Sequence, residues 1–315
     1  MITIEPVRGN TFCFVTRFMR IPFYRLNASE IVLMDSGLAA ERDALEQALE
    51  ENGLRPRAVL TTHAHYDHIG NHNWLQARYG ARLYVTLFDA GITQNPLTLQ
   101  ACFYTDRTDV LASVYPYMLL RPDHILEPGV SHVQVAGAEF EILQLPGHAH
   151  EHIGFVTPDN VAYLGDLLLS EDEFRTMRLP FHQGWQALLR SMDRVRDASW
   201  DACILAHNGV YDRIRPVADH NREQLLSYAG TVAALVEGSV SQETLFARTA
   251  AHFSIDLHNM SRIHIFDRIF HSITTYLEET GQLECVYEGD RLCYRRPKDA
   301  ALSKSPSCKG VHPAP

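Results

Sequence analysis

The stretch VLTTHAHYDHIGN, residues 59–71, places four strong metal ligands in six positions: His63, His65, Asp67 and His68. Val59, Leu60 and Thr61 read as the end of a short buried strand. His63 and His65 alternate in a short extended turn and can point the same way, while Asp67 and His68 continue around it. Neutral imidazole and carboxylate are the nitrogen and oxygen donors that zinc, iron or manganese take. Buried without a cation, such a cluster would leave polar atoms unpaired at considerable cost.

Outward from this stretch the chain alternates strands and helices. Residues 11–16 and 31–34 read as strands, the second closing on Asp35, Ser36 and Gly37. Residues 39–51 carry Leu45 and Leu49 on one helical face. A strand over 57–60 leads into the histidine stretch, followed by a helix over 71–79 and a strand over 81–85. This is an α/β pattern. Residues 88–122 are less regular, either a helical insertion over the site or a helix-rich connection. Strands are expected at 133–135 and 140–145 with a hairpin between, then at 153–156, 161–164 and 203–206, with a helix over 185–195. Four times an apolar strand ends on His or Asp, and in α/β folds such strand-end groups gather at loops beyond the sheet. His148, Asp166 and His207 can therefore converge on the first cluster. Read singly, Asp166 is a turn residue and His207 an ordinary loop histidine.

The pattern changes after about Asp212. Helices are expected over 220–238, 241–252 and 261–280, the last with Ile265, Ile269, Ile273 and Leu277 on one face. LECVYEGDRLCYRR, residues 283–296, reads as two strands around a turn at Glu288, Gly289 and Asp290. The division expected is 1–215, 216–297 as a helical or winged-helix-like module, and a disordered tail over 298–315.

The 315 residues suit a full core plus an appendage. A formal net charge of -10 argues against a generic nucleic-acid surface. No signal-peptide pattern and no membrane-length apolar run is present, so the expected location is cytoplasmic. Cys13, Cys102, Cys203, Cys285, Cys293 and Cys308 lack CxxC spacing, which points to neither a disulfide framework nor a cysteine zinc site.

THAHYDHIG, PGHAHEHIG, YLGD, LAHNG and the DSG at 35–37, in this order, resemble the motifs of the metallo-beta-lactamase superfamily over about residues 10–210. The resemblance implies an αββα sandwich of two mixed sheets flanked by helices. It implies two divalent ions, zinc with iron or manganese as alternatives. His63, His65 and His148 would hold one, Asp67, His68 and His207 the other, and Asp166 would bridge them. The ions would share a water acidified enough to supply hydroxide near neutral pH, with Asp67 orienting it. Asp35 would hold the histidine loop by hydrogen bonds, His152 would orient a ligand, and His150 would face solvent. Gly37, Gly70 and Gly147 would allow tight backbone paths. Asn208 departs from the family's pattern, where glycine usually follows the last histidine.

GHAHEHIGF, GDLLLSEDEF and RLPF resemble the branch related to hydroxyacylglutathione hydrolase. That favours hydrolysis of a thioester or carboxylic ester of a small acyl substrate. Alternatives are a lactonase, a metal-dependent nuclease or phosphodiesterase, and a non-catalytic binding module; an oxidoreductase lacks a visible flavin domain. Tyr104, Tyr115, Tyr117 and Phe181 either line an acyl pocket or pack an insertion. Arg175 and Arg178 either meet a substrate anion or are surface charges. Arg291, Arg295, Arg296 and Lys298, with Ser261, Arg262 and His264, give the nuclease alternative its basic run. The face through Ile265 to Leu277 reads as core packing, with a homodimer interface as the other use.

Overall fold

A computed structural model describes residues 2–103, 113 and 115–297. In the first sheet, sequence order is spatial order: β1 (Thr3–Arg8), β2 (Thr11–Val15), β3 (Arg20–Arg25), β4 (Glu30–Met34), β5 (Arg55–Leu60), β6 (Arg82–Thr86) and β7 (His124–Leu126). The first four strands run antiparallel through short turns. From β4 onward the neighbours are parallel, which demands crossovers. Helices α1 (Arg42–Glu51) and α2 (His72–Tyr79) supply the first two; α3 (Leu87–Thr93) and α4 (Pro96–Phe103) lie between β6 and β7. Among the described residues of 88–122, those up to Phe103 are mostly helical.

The second sheet is β8 (His132–Val135), β9 (Ala138–Gln144), β10 (Ile153–Val156), β11 (Val161–Tyr163), β12 (Ala202–Leu205) and β13 (Gly209–Tyr211), again in sequence order. Only β11 and β12 are parallel, and α5 (Glu171–Met177) and α6 (Trp185–Arg196) connect them. Phe14, Phe23 and Leu33 from one sheet share a single apolar core with Phe140, Phe155 and Ile204 from the other. Tyr24 meets Phe140 edge-on at 5.7 Å across that layer. Outside the sheets, α1 buries Leu45, Ala48 and Leu49, and α6 buries Leu188, Leu189, Met192 and Val195, each an i, i+3, i+4 stripe. The result is the expected αββα sandwich of mixed sheets.

Five strands have no counterpart in the sequence pattern: β1, β3, β7, β13 and the later strand Ser239–Ser241, of which the first two contain proline. Pro6 lies in β1, the sheet edge, where a missing N–H is tolerated. Pro22 lies in β3, whose pairing with β4 begins only at Phe23.

Two compact units divide between Glu223 and Gln224, within α7 (Arg215–Ala234). The second unit holds α8 (Gln242–His252), α9 (Met260–Glu279) and a three-stranded sheet. That sheet comprises β14 (Ser239–Ser241), β15 (Glu284–Glu288) and β16 (Arg291–Arg295), with β16 in the centre. The β15–β16 hairpin turns through Gly289 at φ +66°. On α9 the expected apolar face needs correction. Ile265 is 46% exposed, whereas Phe266, Ile269, Phe270, Ile273 and Leu277 are buried. Phe246 packs against Phe266 and Phe270, with ring centroids 4.6 and 5.4 Å away, so the buried stripe begins one residue later than strict spacing of four suggested. The tail over 298–315, with Lys298 and Cys308, and Tyr104 lie outside the described residues. Among the described residues no helix is long and apolar enough to cross a membrane.

Candidate metal centre

Asp35, left-handed at φ +63° and fully buried, organises the histidine loop. Its Oδ1 accepts the Thr62 N–H at 2.8 Å; its Oδ2 accepts the Thr62 hydroxyl, His68 Nδ1–H and the Tyr163 hydroxyl, each at 2.7 Å. Because Thr62 Oγ1 donates to Asp35, it can accept from His63 Nδ1, 3.0 Å away. His207 Nδ1 finds the Phe18 carbonyl at 3.0 Å. In His63, His68 and His207, then, the partner sits on Nδ1 and leaves Nε2 turned toward the ligand clusters.

Backbone bonds tie neighbouring strand ends together. Ile153 N–H reaches Thr62 O at 3.0 Å, Ala206 N–H reaches Gly165 O at 3.1 Å, and Ser36 N–H reaches His68 O at 2.8 Å. Three glycines make the close approaches possible. A Cβ on Gly70 would lie 2.3 Å from Ala39 N, one on Gly147 would lie 2.3 Å from Leu188 Cα, and Gly37 sits at φ +72°. Two sets of ligand atoms result, each within 4.8 Å of one another: His63, His65 and His148; and Asp67, His68, Asp166 and His207. All seven residues singled out from the sequence fall into them. Asp166 faces both sets. Its Oδ1 is 3.2 Å from His68 Nε2 and 3.4 Å from His207 Nε2, while its Oδ2 is 3.6 Å from His148 Nε2. Asp67 Oδ2 is 3.4 Å from His207 Nε2 and 3.8 Å from His68 Nε2.

The two sets differ in charge. Burial, reinforced by neighbouring imidazoles, holds His63 neutral with its pKa well below the usual value. Burial does the same for His148 and outweighs the opposing pull of Asp166. In the second set burial disfavours a charge on His68, but Asp166, Asp35 and Asp67 together push its pKa well above the usual value. His207 is pushed up to about 12 against its burial, with Asp166 the strongest contributor. Asp166 is held well below the ordinary carboxylate range by His68 and His207, again against burial.

A divalent cation fits these donors. His63 Nε2 is buried and makes no hydrogen bond, and His148 Nε2 stands 3.0 Å from His65 Nδ1, one ring nitrogen facing another. A buried nitrogen without a partner is costly, and imidazoles beside carboxylates are a divalent-metal donor set. The site is a dinuclear metal-binding centre of the hydrolase type.

Several residues around it have assignable places. His152 Nε2 accepts the Asp166 backbone N–H at 3.1 Å, so it acts on a cluster residue through the main chain. His150 is exposed, with its ring against Phe88. Asn208 donates to Glu173 Oε2, which also accepts from the Ser170 N–H and hydroxyl at the start of α5. The side chain in the glycine position thus ties the His207 loop to a helix cap. Phe181 lies 6.0 Å from the His65 ring and 6.3 Å from His148, beside the first set, while Tyr115 and Tyr117 meet edge-on at 6.1 Å. Tyr66, 52% exposed beside Asp67, is an aromatic neighbour the sequence reading left out. Arg175 is exposed and paired with Asp172 and Glu171, and Arg178 is exposed. In the basic run, Arg295 pairs with Glu284 and Glu288, Arg291 with Asp290, and Arg296 donates to the Ala233 carbonyl.

Two further buried groups went unread. Asp89 accepts from the Thr86 hydroxyl at 3.0 Å and from the Ala64 amide, inside the histidine loop; burial pushes its pKa up to about 7. His182 follows Phe181 and packs against His148. A lone aspartate on a helix and a lone histidine in a loop carry no spacing signal.

Fold and site together define a metal-dependent hydrolase of the αββα type. The family model of the metallo-beta-lactamase superfamily matches residues 23–207, and the chain belongs to that superfamily. It is 30% identical over 185 residues to hydroxyacylglutathione hydrolase GloC of Haemophilus influenzae, covering 58% of this chain and 81% of the relative. To a hydroxyacylglutathione hydrolase of Rhodopseudomonas palustris it is 30% identical over 161 residues, spanning 49% of this chain and only about half (52%) of that relative. Among solved structures it resembles a metallo-beta-lactamase family protein from Thermus thermophilus. The TM-score is 0.67 at 21% identity, over 94% of this chain and 98% of the other. A beta-lactamase domain protein from Burkholderia ambifaria gives 0.67 at 18%, over 93% of each chain. The extra carboxyl-terminal helices thus fall within the shared fold.

Proposed function

We propose that this chain hydrolyses a thioester, or a carboxylic ester, of a small acyl substrate. The ligand assignment goes with that reading. His63, His65 and His148 would hold one divalent ion and Asp67, His68 and His207 a second, with Asp166 between the two sets. The split of Asp166 Oδ1 and Oδ2 between the two sets is the observation that carries it. Zinc suits a nitrogen and oxygen donor set best. When bound, such ions supply hydroxide near neutral pH and offset charge developing on a carbonyl oxygen.

The protein's own part is orientation. Asp35 and the Phe18 carbonyl hold imidazoles so that Nε2 faces inward. Asp67, at the half-buried side of the second set, would orient the attacking water by accepting a hydrogen bond from it while serving as a ligand. Phe181, Tyr66, Tyr115 and Tyr117 offer apolar surface to an acyl chain. Relatives named hydroxyacylglutathione hydrolase support the thioester choice. Arg291, Arg295 and Arg296 of the second unit are engaged in ion pairs and a carbonyl contact, which speaks against a phosphate grip by these three.

The test is a panel of thioesters, lactones, phosphodiesters and single-stranded RNA, offered to zinc-loaded protein, with thiol release followed by a colorimetric reagent. Metal-dependent thiol release is expected, reduced roughly 10²–10⁴-fold by Asp67→Ala. Phosphodiester cleavage with inert thioesters would reject the reading.

A further inference from the structure

The ligand histidines whose Nε2 faces a metal set divide unevenly. His63, His68 and His207 each have an oxygen partner on Nδ1, whereas His148 Nδ1 is buried and makes no hydrogen bond. Against it lies His182, 1% exposed, whose Nδ1 and Nε2 are both buried without a hydrogen bond. The two rings are 5.6 Å apart at 76°. Main-chain bonds keep them together: Gly184 N–H reaches Gly147 O at 2.9 Å and Gln183 N–H reaches His148 O at 3.4 Å. The segment 182–184 is therefore laced alongside 147–148, and its imidazole packs edge-on against the His148 ring. Burying a histidine this completely beside a second unpartnered nitrogen is unfavourable unless the two are linked.

We propose that His182 is a positioning residue: it provides the hydrogen-bond acceptor for His148 Nδ1–H, directly or through one water. It thereby fixes the tautomer in which His148 Nε2 faces His65 and Asp166. Ligating histidines depend on such partners for ring orientation and basicity. His182 does for the first metal set what Asp35 does for the second. The inference rests on the metal assignment proposed above, but it concerns a residue outside both sets.

The experiment is zinc titration of the whole chain against a chelating dye, for wild type, His182→Phe and His182→Gln. Phenylalanine fills the space without an acceptor; glutamine restores one. The Phe variant is expected to bind zinc at the first set about 10–100-fold more weakly while the second set keeps its affinity, and Gln should recover most of the loss. Wild-type affinity at both sets in the Phe variant would overturn the inference and leave the metal assignment standing. A wild type that takes up no zinc would overturn both. Should the Phe variant fail to fold, ¹⁵N spectra of histidine-labelled, zinc-loaded wild type decide. A protected Nδ1 proton on His148 is expected, and an Nε2–H tautomer there would overturn the inference.

Discussion

Asp35 shows how one residue sets the chemistry of another. It accepts four hydrogen bonds in a left-handed conformation that aspartate tolerates better than most residues. Asp35→Ala leaves His68 Nδ1, the Thr62 amide and the Tyr163 hydroxyl without their acceptor. Urea denaturation should show a loss of ~3–5 kcal/mol, the cost of breaking a buried hydrogen-bonded pair, and an unchanged midpoint would contradict the role. Asp89 makes a prediction about pH. Its carboxyl is raised by burial from 3.8 to about 7, so between those values the folded state binds a proton that the unfolded state does not. The contribution is fully present below about pH 4 and is lost as pH rises through 7, with an upper limit of ~4 kcal/mol. Stability measured across that window should fall with rising pH in wild type and flatten in Asp89→Asn.

At the scale of elements, the sequence was most legible where spacing carries the information. VLTTHAHYDHIGN, the α6 stripe and the β15–β16 turn each show a period or a turn signature, and each forms where expected. β1 and β3 were hidden because Pro6 and Pro22 interrupt a strand pattern that their neighbours complete. Ile265 was misplaced because spacing alone does not say where a buried stripe begins. His182 and Asp89 were silent because their importance arises from packing across distant segments. The seven residues of the two clusters stand out through motif order, not through any one residue. Elements also differ in what they tolerate. Gly147 at φ +140° abuts the backbone of α6, so Gly147→Ala should force α6 away from the His148 loop and destabilise by ~3 kcal/mol or more in thermal melts. On α5, Ser170→Ala removes a cap worth ~1 kcal/mol, whereas Glu173→Ala also frees Asn208 beside His207. Only the Glu173 variant should weaken zinc binding as well as stability.

For the whole molecule, both metal sets lie within the unit ending at Glu223, so ions should stabilise that unit by mass action. At a free ion concentration of ~1,000 Kd this amounts to ~4 kcal/mol, or roughly 10 °C in melting temperature for a unit of this size. Calorimetry with and without a chelator should show that shift in the transition of this unit. The proposed grip of distant histidines and aspartates on a pair of ions is tested most directly by elemental mass spectrometry of zinc-saturated, gel-filtered protein, comparing wild type with Asp166→Ala. Two zinc ions per chain are expected in wild type and fewer in the variant; a wild type that retains none, or a variant that retains both as tightly, would contradict it.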